Sequence, residues 1–361
     1  MMKFNEVGNR LYTGETSVDF AGKRNIWYFM SVVIIAIAAF GLFGRGLNLG
    51  IEFEGGAKFN VPSTTSVEEA REIVKNAGVE TSVIIAVGNE RLEIQTPPLE
   101  QEAIDIFIDK IAVDFKLDPA LITTQAVGPS WGADITRQAL IGLGVFLLLV
   151  ILFLTIYFEI RMASAAIVAL LHDLLITIGV YAITGFEVTP ATVIGVLTIL
   201  GYSLYDTVVV FDKVKENTRG ILAQSRLNYR EAANLALNQT LVRSINTSIV
   251  ALLPVAAILI VGVGILQAGT LKDLALALFV GIAAGTYSSI FIATPFLVQL
   301  KERQPEIQAL MRRVHARRSN AGVDGPEAMK VSGNPNLANQ VLQAGPRTQP
   351  KRFTRSKRKK S

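Results

Sequence analysis

The chain contains no cysteine, which excludes disulfides, Cys-ligated zinc and thiol catalysis. Its two histidines, His172 and His315, are too few and too far apart for a persuasive metal site, so neither a metal nor a cofactor is expected. Charge is also scarce: 18% of residues are Asp, Glu, Lys or Arg, against about 25% in average soluble chains. Half of the 361 residues are hydrophobic and mean hydropathy is +0.41, which excludes an ordinary soluble protein. The N-terminus does not read as a cleavable signal peptide, because a polar, mixed-charge stretch precedes the first apolar run. That run is expected to be a retained signal anchor.

What the chain has instead is long apolar runs. There are six, at 26–44, 139–158, 162–186, 190–211, 245–266 and 274–298. Crossing a ~30 Å hydrocarbon core takes about 20 helical residues, so each is predicted to be a transmembrane helix. Lys and Arg set the orientation, because they are retained in the cytoplasm. Lys3, Arg10, Lys23 and Arg24 precede the first run, and Arg161 lies in the tight turn between the second and third. Lys213, Lys215, Arg219, Arg226, Arg230 and Arg243 lie in or beside the 212–244 loop. With the tail from Lys301, this side holds 26 of the 35 basic residues, whereas 45–138 holds 8 basic and 15 acidic. Residues 1–25 and 301–361 are therefore expected in the cytoplasm, and 45–138 outside it.

Segment 45–138 is long enough for a small domain. Ser66 stands as an N-cap before a helical pattern running to Lys75, with Glu69 three residues on. Thr81–Val87 and Arg91–Gln95 read as strands around a Gly88-Asn89 turn. Gln101–Phe115 is amphipathic, Leu121–Val127 reads as a last strand, and Ala57–Val61 as the first. That order predicts an α+β domain of ferredoxin-like type. Arg45–Gly50 and Gly128–Arg137, both containing glycines, are expected to be its hinges. Lys301–Arg318 is expected to continue as a helix, and 319–361 reads as a disordered tail. Its last residues, Lys351–Lys360, form a basic run suited to anionic lipid or ribosomal RNA.

Charges inside lipid cost at least a few kcal/mol each, so they mark candidate functional residues. Asp173 lies in the third run beside His172, where a polar packing contact is the expected role. Asp206 lies in the fourth, six residues above Asp212, which puts it ~9 Å inside the boundary at the helical rise. Thr198, Tyr202 and Asp206 repeat at i+4, predicting a hydroxyl-bearing stripe on the face of the carboxylate. Arg243 enters the fifth run at similar depth, with Asn246 one turn on. A carboxylate switched by an arginine is a usable proton relay. Gly281 and Gly285 form a GxxxG pattern, which argues for close helix packing and no particular activity.

Four blocks resemble the SecF family, partner of SecD. They are Gly50-Ile-Glu-Phe-Glu-Gly55-Gly56; the block from Gly201 through Tyr205-Asp206 to Asn217; Asn238 through Arg243 and Asn246 to Ser248; and Gly285–Pro295. The first carries Glu52 and Glu54 where the family more usually has Asp and Thr, and Tyr205 stands where Asn is common. The resemblance spans about residues 20–300 and leaves out the basic tail. It implies an integral membrane α-helical fold, half of a twelve-helix RND-type unit, in the bacterial cytoplasmic membrane. The partners it implies are SecD, the SecYEG channel, a translocating preprotein and YidC. The activity it implies is proton-driven assistance to protein export, with Asp206 and Arg243 matching the proton-linked pair.

Three other readings compete. A passive scaffold for SecD and the channel needs no intramembrane charge pair. An intramembrane aspartyl protease fits the Tyr205-Asp206 dipeptide, but it needs a second aspartate in a Gly-x-Gly-Asp setting, and Asp173 follows Leu171-His172. A small-molecule RND exporter usually carries external domains much larger than the 94 residues of 45–138.

Overall fold

The computed structural model describes residues 17–79, 82–87, 90–263 and 269–320. The expected Gly88-Asn89 turn and the basic run 351–360 lie outside the described residues. Six helices are long and apolar enough to span a membrane, one on each predicted run. The spans begin with helices Arg24–Arg45, Pro129–Tyr157, Ile160–Thr184, Pro190–Asn217, Tyr229–Ala257 and Gly269–Ser288. Two short π-helical turns interrupt the regular winding, at Ile258–Val263 and Ser289–Ala293. Pro295 follows the second, and its missing N–H and bulky ring break the i→i−4 ladder at Phe291 within that turn; Pro254 stands one turn before the first. The last span then continues through Thr294–Glu302.

Segment 45–138 folds as the alternation of its residues predicts. β2 (Gly56–Pro62), β3 (Val83–Val87), β4 (Arg91–Thr96) and β5 (Thr123–Val127) form one antiparallel sheet in the order β3-β4-β2-β5. Helices Val67–Asn76 and Gln101–Phe115 complete the strand-helix-strand-strand-helix-strand order of the ferredoxin-like fold. Ser66 caps the first of them by accepting from the Glu69 N–H at 3.3 Å. Phe59, Val61 and Ile94 from the sheet bury against Val74, Phe107 and Ile111 from the helices.

Three features tie this domain to the membrane helices. The first is the double glycine: Gly55 (φ 80°) and Gly56 (φ 143°) follow a single helical turn, Ile51–Glu54. A Cβ on Gly56 would stand 2.4 Å from the Thr96 carbonyl oxygen, so only glycine fits. The second is β1 (Asn48–Leu49), which pairs in parallel with β6 (Glu187–Val188) from the connection between the third and fourth spans. The third corrects an expectation: Gly128–Arg137 is no loose hinge. Helix runs from Pro129, which suits a first helical position. Gly132 packs so closely on the Phe53 carbonyl that a Cβ would come within 2.6 Å of its oxygen.

Residues 17–22, 213–240 and 298–320 belong to a separate compact unit. Here the 212–244 segment, read from sequence as a loop, is mostly helical, because its apolar residues (Ala232, Ala233, Leu237) are buried. Asn234 and Asn238 hold the chain N-terminal to the first span: their Oδ1 atoms accept from the N–H groups of Phe20 at 2.9 Å and Val18 at 2.8 Å. The expected helix after Lys301 runs Pro305–Asn320, and its Arg318 makes a buried two-pronged ion pair with Glu231 at 2.7 and 2.8 Å.

Candidate functional site

Asp206 is 6% exposed, and both of its oxygens are taken by hydroxyls. Ser244 Oγ from the fifth span donates to Oδ1 at 2.6 Å, and Ser289 Oγ from the last span donates to Oδ2. Tyr202, one turn earlier on the fourth span, donates to Ser248 Oγ at 3.4 Å, and Thr286 Oγ1 donates to the same oxygen at 2.6 Å. Three helices thus supply a hydroxyl-lined chamber around one carboxylate. Close packing makes this possible: a Cβ on Gly281 would strike Ile199, and one on Gly285 would stand 2.8 Å from Ser203 Cβ. The GxxxG face is the contact that brings the last span against the fourth.

Arg243 is placed differently from the expected pairing. It is exposed, and its guanidinium donates to the Tyr205 hydroxyl at 3.3 Å, one residue from the carboxylate. Among the described residues, no ion pair joins Arg243 to Asp206. The expected stripe also divides. Thr198 faces outward and donates to its own helix at the Ile194 carbonyl (2.8 Å), because two i+4 steps rotate a side chain well off the starting face. Asn246 is exposed, and so is Gly201, where a Cβ would meet nothing within 4 Å. The residues that do bind the carboxylate, Ser244 and Ser289, were not singled out by sequence reasoning. Their signal was present only as small polar residues, Ser244 at the entry of the fifth apolar run and Ser289 within the last.

A second buried cluster lies close by. Asp173 is 1% exposed; its Oδ2 accepts from Ser203 at 2.5 Å and Ser288 at 2.8 Å, and its Oδ1 meets His172 Nδ1 at 3.3 Å. His172 Nε2 lies 3.2 Å from Ser31 Oγ, which is 3.0 Å from the Tyr287 hydroxyl. The expected polar packing contact is present and joins four spans. No hydrogen bond links the two aspartates among the described residues. An aspartyl protease dyad shares one proton between facing carboxylates, and here each carboxylate has its own serine donors.

At the α+β domain, Lys58 of β2 stands 3.1 Å from Glu93 of β4 and 2.9 Å from Glu187 of β6. Gln95 donates to Glu187 at 2.9 Å. Burial opposes the Lys58 charge, but the two carboxylates outweigh it and raise its pKa. Burial raises Glu187 above the usual glutamate value; Lys58 opposes this, and Glu93 and Glu52 add to it. This cluster fastens the sheet to the connection between the third and fourth spans.

Residues 108–303 match the family model described as "Protein export membrane protein SecD/SecF, C-terminal", and residues 40–67 match the SecD/SecF GG motif. The chain is 47% identical to the protein translocase subunit SecF of Streptomyces coelicolor, covering 97% of this chain and 96% of that one. It is 44% identical to the SecF of Mycobacterium tuberculosis, covering 90% and 76%. The crystal structure of SecDF from Thermus thermophilus, described as a translocon-associated membrane protein, superposes with a TM-score of 0.72 at 32% identity. That match covers 80% of this chain and 39% of the longer SecDF chain.

Proposed function

The chain belongs to the SecF family of protein translocase subunits and has a role in protein export; on that premise we propose that it helps couple export to the proton gradient by binding and releasing a proton at Asp206. The observation that carries this reading is the carboxylate's surroundings. A buried aspartate held by an arginine would keep its charge, whereas serine hydroxyls serve both forms of the acid. They donate to the ionised carboxylate; once a proton is bound, Ser289 accepts from the carboxyl O–H and turns its own hydroxyl to the Thr286 carbonyl at 3.2 Å. Neither state strands a buried polar group. Arg243, one residue before Ser244 and resting on Tyr205, is the cation held in reserve. A small rotation of the fifth span that brings its guanidinium to Asp206 favours the ionised form, and the reverse favours proton uptake.

The partner is SecD, as the fused SecDF relatives support. Thr198, Tyr205, Arg243 and Asn246 form an exposed polar face on the fourth and fifth spans. Polar groups facing hydrocarbon are costly, so that face is one a partner covers, as expected for half of an RND-type unit. The distribution of Lys and Arg supports cytoplasmic termini and an external 45–138 domain, whose motion, on release of the Lys58–Glu187 contact, draws a preprotein leaving the SecYEG channel outward. Contacts with YidC, and of the basic tail with anionic lipid or the ribosome, belong to the same proposal. A passive scaffold is the rival.

The test is gradient-dependent completion of translocation in membrane vesicles, with the chain, its SecD partner and a preprotein. Asp206→Asn keeps shape and hydrogen bonding but cannot ionise. It should assemble with SecD and lose the response to the gradient. Arg243→Lys keeps the charge without the planar fork and should fall between that variant and the wild type. A full gradient response in Asp206→Asn would falsify the proton-binding role and leave the scaffold.

A further inference from the structure

Asp173 is as deeply buried as Asp206, yet the proposed function leaves it idle. A structural contact among these helices needs only a hydrogen-bonding group. An asparagine or serine would provide one without placing an ionisable acid in the membrane. The acid also has an imidazole at its side, and the imidazole faces a chain of hydroxyls. We propose that His172 and Asp173 form a second proton-binding site, coupled to Asp206 through the serine pair of the π-helical turn. This extends the role assigned to Asp206 and rests on it only for the meaning of the coupling.

The hydrogen bonds account for a proton without leaving any group unpaired. With the pair unprotonated, Asp173 is a carboxylate accepting from Ser203, Ser288 and the His172 Nδ1–H. Ser31 then donates to Nε2, and Tyr287 donates to Ser31. When a proton binds, a new N–H forms at Nε2 and donates to Ser31 Oγ. Ser31 turns its hydroxyl to the Tyr287 oxygen, and Tyr287 donates to the Trp27 carbonyl at 3.4 Å. Every donor has an acceptor in both states. The pair changes from one net negative charge to none, which is the favourable direction in a low-dielectric interior. The ring of Tyr287 stacks on His172 at 5.8 Å and fixes the imidazole plane.

Coupling follows from which residues hold the two acids. Ser288 donates to Asp173, and its neighbour Ser289 donates to Asp206. Both serines are fully buried at the start of the π-turn Ser289–Ala293. Ser203, which also binds Asp173, lies one turn before Asp206 on the fourth span. One backbone turn and one helix therefore serve two carboxylates. A turn in π geometry has an α-helical alternative close in energy, and such turns recur at functional sites. A change in the donor demand of one acid moves the serine offered to the other. The groups that meet the pair are Ser31 from the first span, Ser203 from the fourth, and Tyr287 and Ser288 from the last, with Asp206 one helical turn beyond Ser203.

The test is nitrogen-15 NMR of the full chain in lipid nanodiscs, labelled at histidine. The chain has two histidines, so His315→Gln leaves His172 as its single labelled residue. The His172 resonance should move between neutral imidazole and imidazolium as pH falls. Asp173→Asn should lower the midpoint by about one to three units, the usual effect of losing an adjacent opposite charge. Ser288→Ala leaves the carboxylate with one fewer donor and should raise the midpoint, an arm that survives if Asp173→Asn fails to fold. Asp206→Asn should also move the midpoint, and Ser289→Ala should abolish that movement. A His172 resonance that does not titrate overturns the site, and a midpoint indifferent to Asp206→Asn overturns the coupling. Neither outcome depends on export, so failure here is separate from failure of the vesicle experiment.

Discussion

Carboxylates at the foot of the α+β domain and inside the spans are met by opposite chemistry. Glu93 and Glu187 share the cation of Lys58 at 3.1 and 2.9 Å. Asp206 and Asp173 have only hydroxyls and one imidazole. An ion pair favours one protonation state and locks two elements together. A hydroxyl accepts or donates with nearly equal ease, so it leaves the acid free to change. The molecule thus joins sheet and spans through ions and surrounds its buried acids with hydroxyls, the arrangement that the proposed proton role requires.

This contrast is broken most severely if the two acids of the spans behave like the joint. Asp206→Asn should abolish the gradient response and leave thermal stability nearly unchanged, so a large stability loss with a normal response would reverse the assignment. Gly56→Ala comes next. Its positive φ and the 2.4 Å approach to Thr96 leave no room for a methyl group. The strain should cost about 1–3 kcal/mol and loosen the domain, read as faster proteolysis of 45–138 with the spans still intact.

Lys58→Met should cost about 1–3 kcal/mol, the usual penalty for leaving buried partners unsatisfied, and should leave the gradient response in place. Its pH dependence has a definite sign. The folded pKa of Lys58 lies above 10.5, so the wild-type advantage over Lys58→Met should be full below that value and vanish as pH rises through the folded one. Glu187, raised above 4.5, works the same way round: its share is present at acid pH and lost as pH rises through its folded value. Mild acid should therefore not detach the domain through Glu187. An advantage that persists unchanged at high pH would remove the ionic joint. Gly201→Ala is the smallest effect. With open space around the new methyl, it should stabilise the isolated chain by up to about 1 kcal/mol and weaken co-purification with SecD. Unaltered co-purification would place the partner elsewhere.

Local pattern carried much of the fold into the sequence. The domain strands alternate with period two, the Ser66 cap marks a helix start, and apolar length marks the spans, because each signal needs only near neighbours. The site was half legible. Asp206 stood out because a charge in an apolar run is conspicuous, but its ligands Ser244 and Ser289 lie 38 and 83 residues away. Serine is common enough in spans to attract no notice. The Lys58–Glu187 joint closes 129 residues, and nothing local distinguishes Glu187 from any loop glutamate. Arg243 shows the reverse problem: depth in the sequence suggested a pairing, but helix rotation turned its side chain outward to Tyr205.

By itself, then, the sequence determined the six apolar spans, the α+β domain of 45–138 and the presence of two acids in the spans. These follow from hydropathy and period, which act over a few residues. Only the tertiary structure decided that the acids are held by hydroxyls from other helices, that adjacent serines on one π-turn serve both, and that Lys58 fastens the domain to the spans. Those outcomes depend on how helices rotate and approach one another, and that is set by close packing at Gly281, Gly285 and Gly132 across distant parts of the chain.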